Sequence, residues 1–107
     1  MKFLVIMEAV PGVPMPPEQA LPLIKECYAW ARRMRESGRV EAQYALADHA
    51  GGLMGGFGIG DYESAEQMAE ALATYPAAGI VTMKAYPLVA MEVVEKMIEG
   101  ALAQLPK

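Results

Sequence analysis

Residues 51 to 61 read GGLMGGFGIGD, and the fold turns on whether this stretch is a loop or a strand. Six of its first ten residues are glycine, yet Leu53, Met54, Phe57 and Ile59 are strongly apolar. A dinucleotide fingerprint needs its glycines in the turn between strand and helix. Here helix signals begin only at Ser64, so Leu53 to Ile59 is expected to be a strand rather than a phosphate loop. Glycine disfavours order inside a strand, so a glycine-rich strand marks a bulge, a close backbone approach or a floor left open for something bulky. The stretch is therefore either the floor of a pocket or a place of close packing.

Upstream of it, Arg39 to Leu46 alternates, with Val40, Ala42, Tyr44 and Leu46 on one face against Glu41 and Gln43. ADHAGG, residues 47 to 52, supplies the turn, and the two strands are expected to form a hairpin. Before that pair, Ala20, Ile24, Cys27, Ala31 and Met34 share one face at helical spacing over a helix from Pro17 to about Ser37, and Gly38 is its stop. Tyr28 and Trp30 sit beside that stripe, covering the core edge. Pro11, Gly12, Pro14, Pro16 and Pro17 separate the helix from an apolar first strand, Lys2 to Glu8.

Downstream, Ser64 and Gln67 stand at capping-box spacing ahead of Ala65, Met68, Ala69 and Leu72, and Pro76 ends that helix. Gly79 to Tyr86 is a fourth strand, stopped by Pro87. A third helix over 89–105 carries the stripe Met91, Val94, Met97, Ile98, Ala101 and Leu105 opposite Glu92, Glu95, Lys96 and Glu99, so it packs on something. The order strand, helix, strand, strand, helix, strand, with an added helix, predicts an α+β ferredoxin-like fold with a four-stranded antiparallel sheet, core 1–88. Two helices cover one face of such a sheet, yet both faces of the first and third strands are apolar. A second copy of the sheet is the simplest cover, giving a homodimer or higher homo-oligomer. The competitor is a monomer with the third helix folded over the sheet.

At 107 residues the chain is expected to form one domain. A net charge of -4, with Arg32, Arg33 and Arg35 confined to one helix, argues against a nucleic-acid surface. The apolar runs are too short for a membrane span and the start MKFLVIMEAV lacks the features of a secretory leader, so a cytoplasmic protein is expected. One cysteine and one histidine cannot assemble a Cys/His metal site, and no cofactor motif is present.

The strand order and apolar second face resemble the dimeric α+β barrel superfamily. Locally, RMRESGRVEAQYALADHA, with Gly38, Tyr44 and the small-x-His ending at Ala47 and His49, resembles the muconolactone isomerase family, as does SAEQMAEAL before Tyr75 and Pro76. The resemblance spans roughly residues 1 to 88, and the glycine strand departs from it in being longer and lacking that family's aromatic residues. GGFGIGDYESAEQ followed by ALATYPAAG, with the Met-Lys-aromatic start, resembles the YCII-related group. That group's histidine near the first helix, paired with an aspartate, is absent here, so its proposed dyad does not carry over.

Several residues offer chemistry. His49, beside Asp48 at a strand end, is either a proton shuttle or, with Asp48, a plain turn residue. Glu8 ends an apolar strand and is either a base beside a low-dielectric pocket or a solvent-facing carboxylate. Tyr44 either donates to an oxyanion or packs, and Tyr86 carries the same ambiguity. Arg39 is a cation suited to a carboxylate, and Gly56 and Phe57 belong to the pocket floor. Glu41 and Lys84 are a pair able to meet across a dimer. Nine methionines suggest an adaptable interior or the lining of a hydrophobic site. The resulting expectation is a cofactorless isomerase or cyclase that relocates a proton on a small apolar or aromatic-derived acid or lactone. His49 or Glu8 is its base, with Tyr44 and Arg39 as stabilisers. The alternatives are a non-catalytic binding or oligomeric protein and a cofactor-independent monooxygenase.

Overall fold

The computed structural model describes residues 1–9, 15–47 and 53–106, with the side chains of Leu53 and Met54 left out. The glycine stretch is a strand. The elements are β1 (Lys2–Ala9), α1 (Pro17–Glu36), β2 (Val40–Ala47), β3 (Leu53–Asp61), α2 (Ala65–Ala73), β4 (Val81–Pro87) and α3 (Met91–Ala103). The sheet is antiparallel throughout in the order β2-β3-β1-β4, the ferredoxin-like arrangement, with β1 paired to both β3 and β4.

The expected punctuation sets the boundaries. Pro17 occupies the first turn of α1, where its missing N–H has no partner to lose, and Gly38 follows the helix with φ +84°, a backbone that side chains disfavour. At α2 the Gln67 amide donates to Ser64 Oγ at 3.1 Å, and Gln67 Oε1 in return accepts from the Glu63 amide at 2.8 Å.

Pairing parity assigns the faces. Phe3 and Val5 are buried with Trp30, Tyr62 and Leu72, while Met7, Met34, Met68 and Met83 pack around them, so the odd residues of β1 face α1 and α2. Trp30 belongs to this core rather than to its edge: its ring is edge-on to Tyr75 at 5.0 Å, and Nε1 donates to Thr74 Oγ1 at 2.8 Å. Opposite those odd residues stand Gly60, Gly58 and Gly56, which places the glycines of β3 beneath the helices and turns Phe57 and Ile59 to the other face with Leu4 and Ile6.

A register shift between Val40 and Ala42 alters the expected face of β2. Val40 lies opposite Gly60 on the helix side, near the Gly58 position, while Ala42 and Tyr44 face outward. Gln43 also turns inward, and its Nε2 donates to the Ala31 carbonyl at 2.7 Å, tying α1 to β2. Glu41 pairs within the chain, with Lys2 Nζ at 3.0 Å.

All described residues of α3 are exposed, so the helix folds neither over the sheet nor into the core. The chain is accordingly elongated, 65 × 31 × 21 Å, with a radius of gyration of 17.8 Å. A compact domain of this length has about 13 Å.

Two glycines separate backbone need from helix propensity. Gly55 has φ +148°, and a Cβ there would collide with the Met7 carbonyl, whereas Gly100 sits in α3 with open space around it. Gly55→Ala is expected to destabilise the fold by about 3 kcal/mol or more, and Gly100→Ala to raise the helicity of α3 by the ~1 kcal/mol that separates the two residues in an exposed helix. Urea denaturation and far-UV circular dichroism of the two variants check both signs.

Candidate functional site

Removing the side chains from one face of β3 leaves space beneath α1. A cleft of about 650 Å³ fills it, floored by Gly56 and Gly58 and walled by Met7, Leu23, Cys27, Ala45 and Ile80. Cβ atoms at Gly56 and Gly58 would meet only neighbouring strand atoms, among them the Tyr44 and Ala42 carbonyls, at 3.1 and 3.2 Å. The space above the floor is otherwise open. Most of the wall is apolar, which suits a compact apolar ligand whose few polar atoms reach the rim.

The polar groups of the cleft come from α1, from β2 and from the segment after α2. Arg32 and Arg35, both exposed, bring two cations to the wall, and Tyr28, Tyr75, Cys27 and Gln43 complete the set. Burial pushes the Tyr75 phenol well above its ordinary value, and the Cys27 thiol beside it acts in the same direction. Tyr75 therefore stays protonated and donates, the property required of a group facing a carbonyl or an enolate oxygen. Tyr62 is likewise raised by burial, with the nearby Arg39 guanidinium partly offsetting it.

Of the residues singled out in the sequence, Gly56 lies in the cleft floor, and Tyr44 and Phe57 border the cleft from the strands beside it. Tyr44 and Phe57 are brought together on the opposite sheet face, stacked at 5.4 Å with an interplanar angle of 25°. Glu8 and Tyr86 share that outer face, Glu8 opposite Gly55 and Thr82, Tyr86 opposite Leu4. Arg39 lies at the other end of the sheet, its carbonyl accepting from Asp61 N, and Asp61 and Glu8 are six register steps apart, about 20 Å. Asp48 and His49 lie outside the described residues. Cys27 was legible as a core-facing position of α1. Tyr75 and Arg35 carried no such signal, because a tyrosine before a proline and an arginine near a helix end read as surface. Among the described residues no group of three His, Cys, Asp or Glu is placed to hold a metal, and no helix is long and apolar enough to cross a membrane.

No protein-family model and no curated protein matches this sequence. Solved structures do match its fold. Muconolactone isomerase superposes with a TM-score of 0.70 at 22% identity, over 84% of this chain and 90% of that one. The 5-chloro-2-hydroxyhydroquinone dehydrochlorinase of Burkholderia phenoliruptrix, solved with 2,5-dihydroxybenzoquinone, gives 0.69 at 15% identity, over 87% of this chain and 98% of that one. The chain shares the α+β ferredoxin-like fold of these two enzymes.

The Tyr75 phenol links the cleft to pH. Its ordinary value is 10.0, and the folded value lies above it, so as pH rises past about 10 the unfolded chain loses this proton first. The stability tied to Tyr75 is complete below that point and is lost as pH climbs toward the folded value. The urea midpoint is expected to hold up to about pH 9 and to fall by about pH 11, with a shallower fall in Tyr75→Phe. Equal slopes in the two proteins would count against a buried phenol.

Proposed function

We propose that the cleft beneath α1 takes a small apolar or aromatic-derived acid or lactone and that the protein relocates a proton on it without a cofactor, as an isomerase or cyclase. The observation that carries this reading is the cleft itself: about 650 Å³ of largely apolar wall over a floor stripped of side chains. That volume lies in the range of small-molecule sites, roughly 300–1,000 Å³. The names of two proteins with this fold support the class of ligand, one an isomerase of a lactone and the other held with a hydroxylated quinone.

The chemistry asks for a base near neutrality and a donor for the oxygen that becomes negative when a proton α to a carbonyl leaves. Tyr75, kept neutral by burial, is the donor at the cleft wall. Arg35 is one of the two cations at that wall and is suited to a substrate carboxylate. His49, two residues beyond β2 in the sequence, is the candidate base for the cleft, Glu8 belonging to the outer face of the sheet. The outer face of the sheet takes a second copy of the chain in this reading. Tyr44, Phe57 and Tyr86 would then line the space between two sheets. The small number of polar groups in the cleft favours a second reading, in which the protein binds such a molecule without turning it over.

Thermal denaturation with a panel of aryl and alkenyl lactones and their acids, muconolactone among them, tests binding. A fitting ligand at about 100 times its Kd is expected to raise the midpoint by several degrees, and Cys27→Phe, which fills the cleft, to abolish the shift. Proton NMR in deuterium oxide then tests catalysis, through exchange of the proton α to the ligand carbonyl. Binding with exchange supports an isomerase, binding alone leaves the non-catalytic reading, and a panel that never binds overturns both.

A further inference from the structure

Besides the outer sheet face, two apolar surfaces lie unpartnered among the described residues, and their shapes and charges match each other. The first is α3 with the turn that follows it, where Met91, Val93, Val94, Met97, Ile98, Leu102 and Leu105 are each at least 37% exposed. Helical spacing gathers Met91, Val94, Ile98, Leu102 and Leu105 into a stripe and sets Glu92, Glu95 and Glu99 in a ridge along one border of it. The second is the flank of α1 formed by Leu21, Ile24 and Tyr28, which are 65%, 38% and 48% exposed. By the same spacing, Lys25 and Arg32 form a basic ridge along its outer border. Lengths agree as well: the 13 residues of α3 span about 20 Å, and Leu21 to Arg32 spans about 17 Å.

We propose that α3 of one copy docks along α1 of a second copy and closes the mouth of its cleft. Ile24, Tyr28 and Arg32 of that flank also line the cleft, so whatever covers the flank also covers the opening. The contact is made between copies because of where the helix leaves the fold. It follows β4, at one edge of the sheet, after a three-residue link, whereas α1 lies over β2 at the other edge, about 14 Å away across the strands. From there α3 packs on no other described element of its own chain. A chain of net charge -4 repels its own copies, and a glutamate ridge set on a lysine–arginine ridge offsets that repulsion where the two meet. Twofold symmetry forms the contact twice, covering both arms and both clefts. The inference deepens the reading of the cleft as a binding site by giving the site a wall from the second copy.

The test uses the chain's single cysteine. Cys27 is half-buried in the cleft wall, so the rate at which a water-soluble disulfide reagent modifies it reports closure without any substrate. Two full-length variants are compared with the natural chain, one carrying Glu95→Lys and Glu99→Lys, the other Lys25→Glu and Arg32→Glu. Each alone brings like charges together, and its Cys27 is expected to react about tenfold faster. Mixed in equal amounts, they pair opposite charges at both contacts of a mixed dimer, and the rate is expected to return to within about threefold of the natural chain. Recovery on mixing occurs only if the contact is between copies and both variants are folded. Natural-chain rates in both variants, or a mixture no slower than its components, would overturn the proposal and leave α3 for another partner. Because no ligand is present, a cleft that turns nothing over leaves this result standing, and failure of the arm leaves the ligand screen unaffected.

Discussion

The alternation of side chains along β3 is the constraint on which the rest of the structure depends. A strand gives each residue to one face or the other, and here one face receives Gly56, Gly58 and Gly60 while the other receives Phe57 and Ile59. The first face lies under α1 and contributes no side-chain volume, so the helix and sheet enclose a cleft instead of a filled layer. The second face keeps its large apolar groups and has no helix above it. Shifting β3 by one residue would exchange the two, filling the cleft and emptying the outer face together. The positive φ of Gly55 and its approach to the Met7 carbonyl hold the register where the strand begins.

Polarity follows from the same division. The floor contributes no donor or acceptor side chains, so the cleft's hydrogen-bonding groups come from α1, from Gln43 on β2 and from the segment that follows α2. That segment is anchored by Trp30, whose indole bonds Thr74 and whose ring meets Tyr75 edge-on. Burying the Trp30 ring in this way presents the phenol of Tyr75 to the cleft in its protonated form. Core packing and the chemistry of the site are therefore one set of contacts.

What remains uncovered is apolar. Soluble monomers seldom leave large contiguous apolar patches in water, and this chain leaves the outer sheet face and the length of α3. The first suits a matching sheet and the second a helix flank with a basic border. The two surfaces are compatible, because one lies on the far side of the sheet and the other along the cleft.

Element order was legible in the sequence because each boundary carries its own local cause: Pro17 at the start of α1, Gly38 after it, Ser64 with Gln67 ahead of α2, and the two-residue period in the strands. The apolar outer face was legible too, since period and hydropathy together imply it. Positions that depend on long-range geometry were not. An extra residue in β2, Glu41, turned Val40 to the helix side with Gln43, and local alternation cannot register where such a bulge falls. Tyr44, Glu8 and Arg39 were candidates by residue type, yet their separation is set by strand pairing and by which face the helices choose. Local periodicity alone sets which segments are helix or strand and that two apolar faces exist. That the glycines face the helices, that Tyr75 and Cys27 meet in the cleft and that α3 packs on no other described element could be read only from the folded chain, because each is a contact, or the lack of one, between residues far apart in sequence.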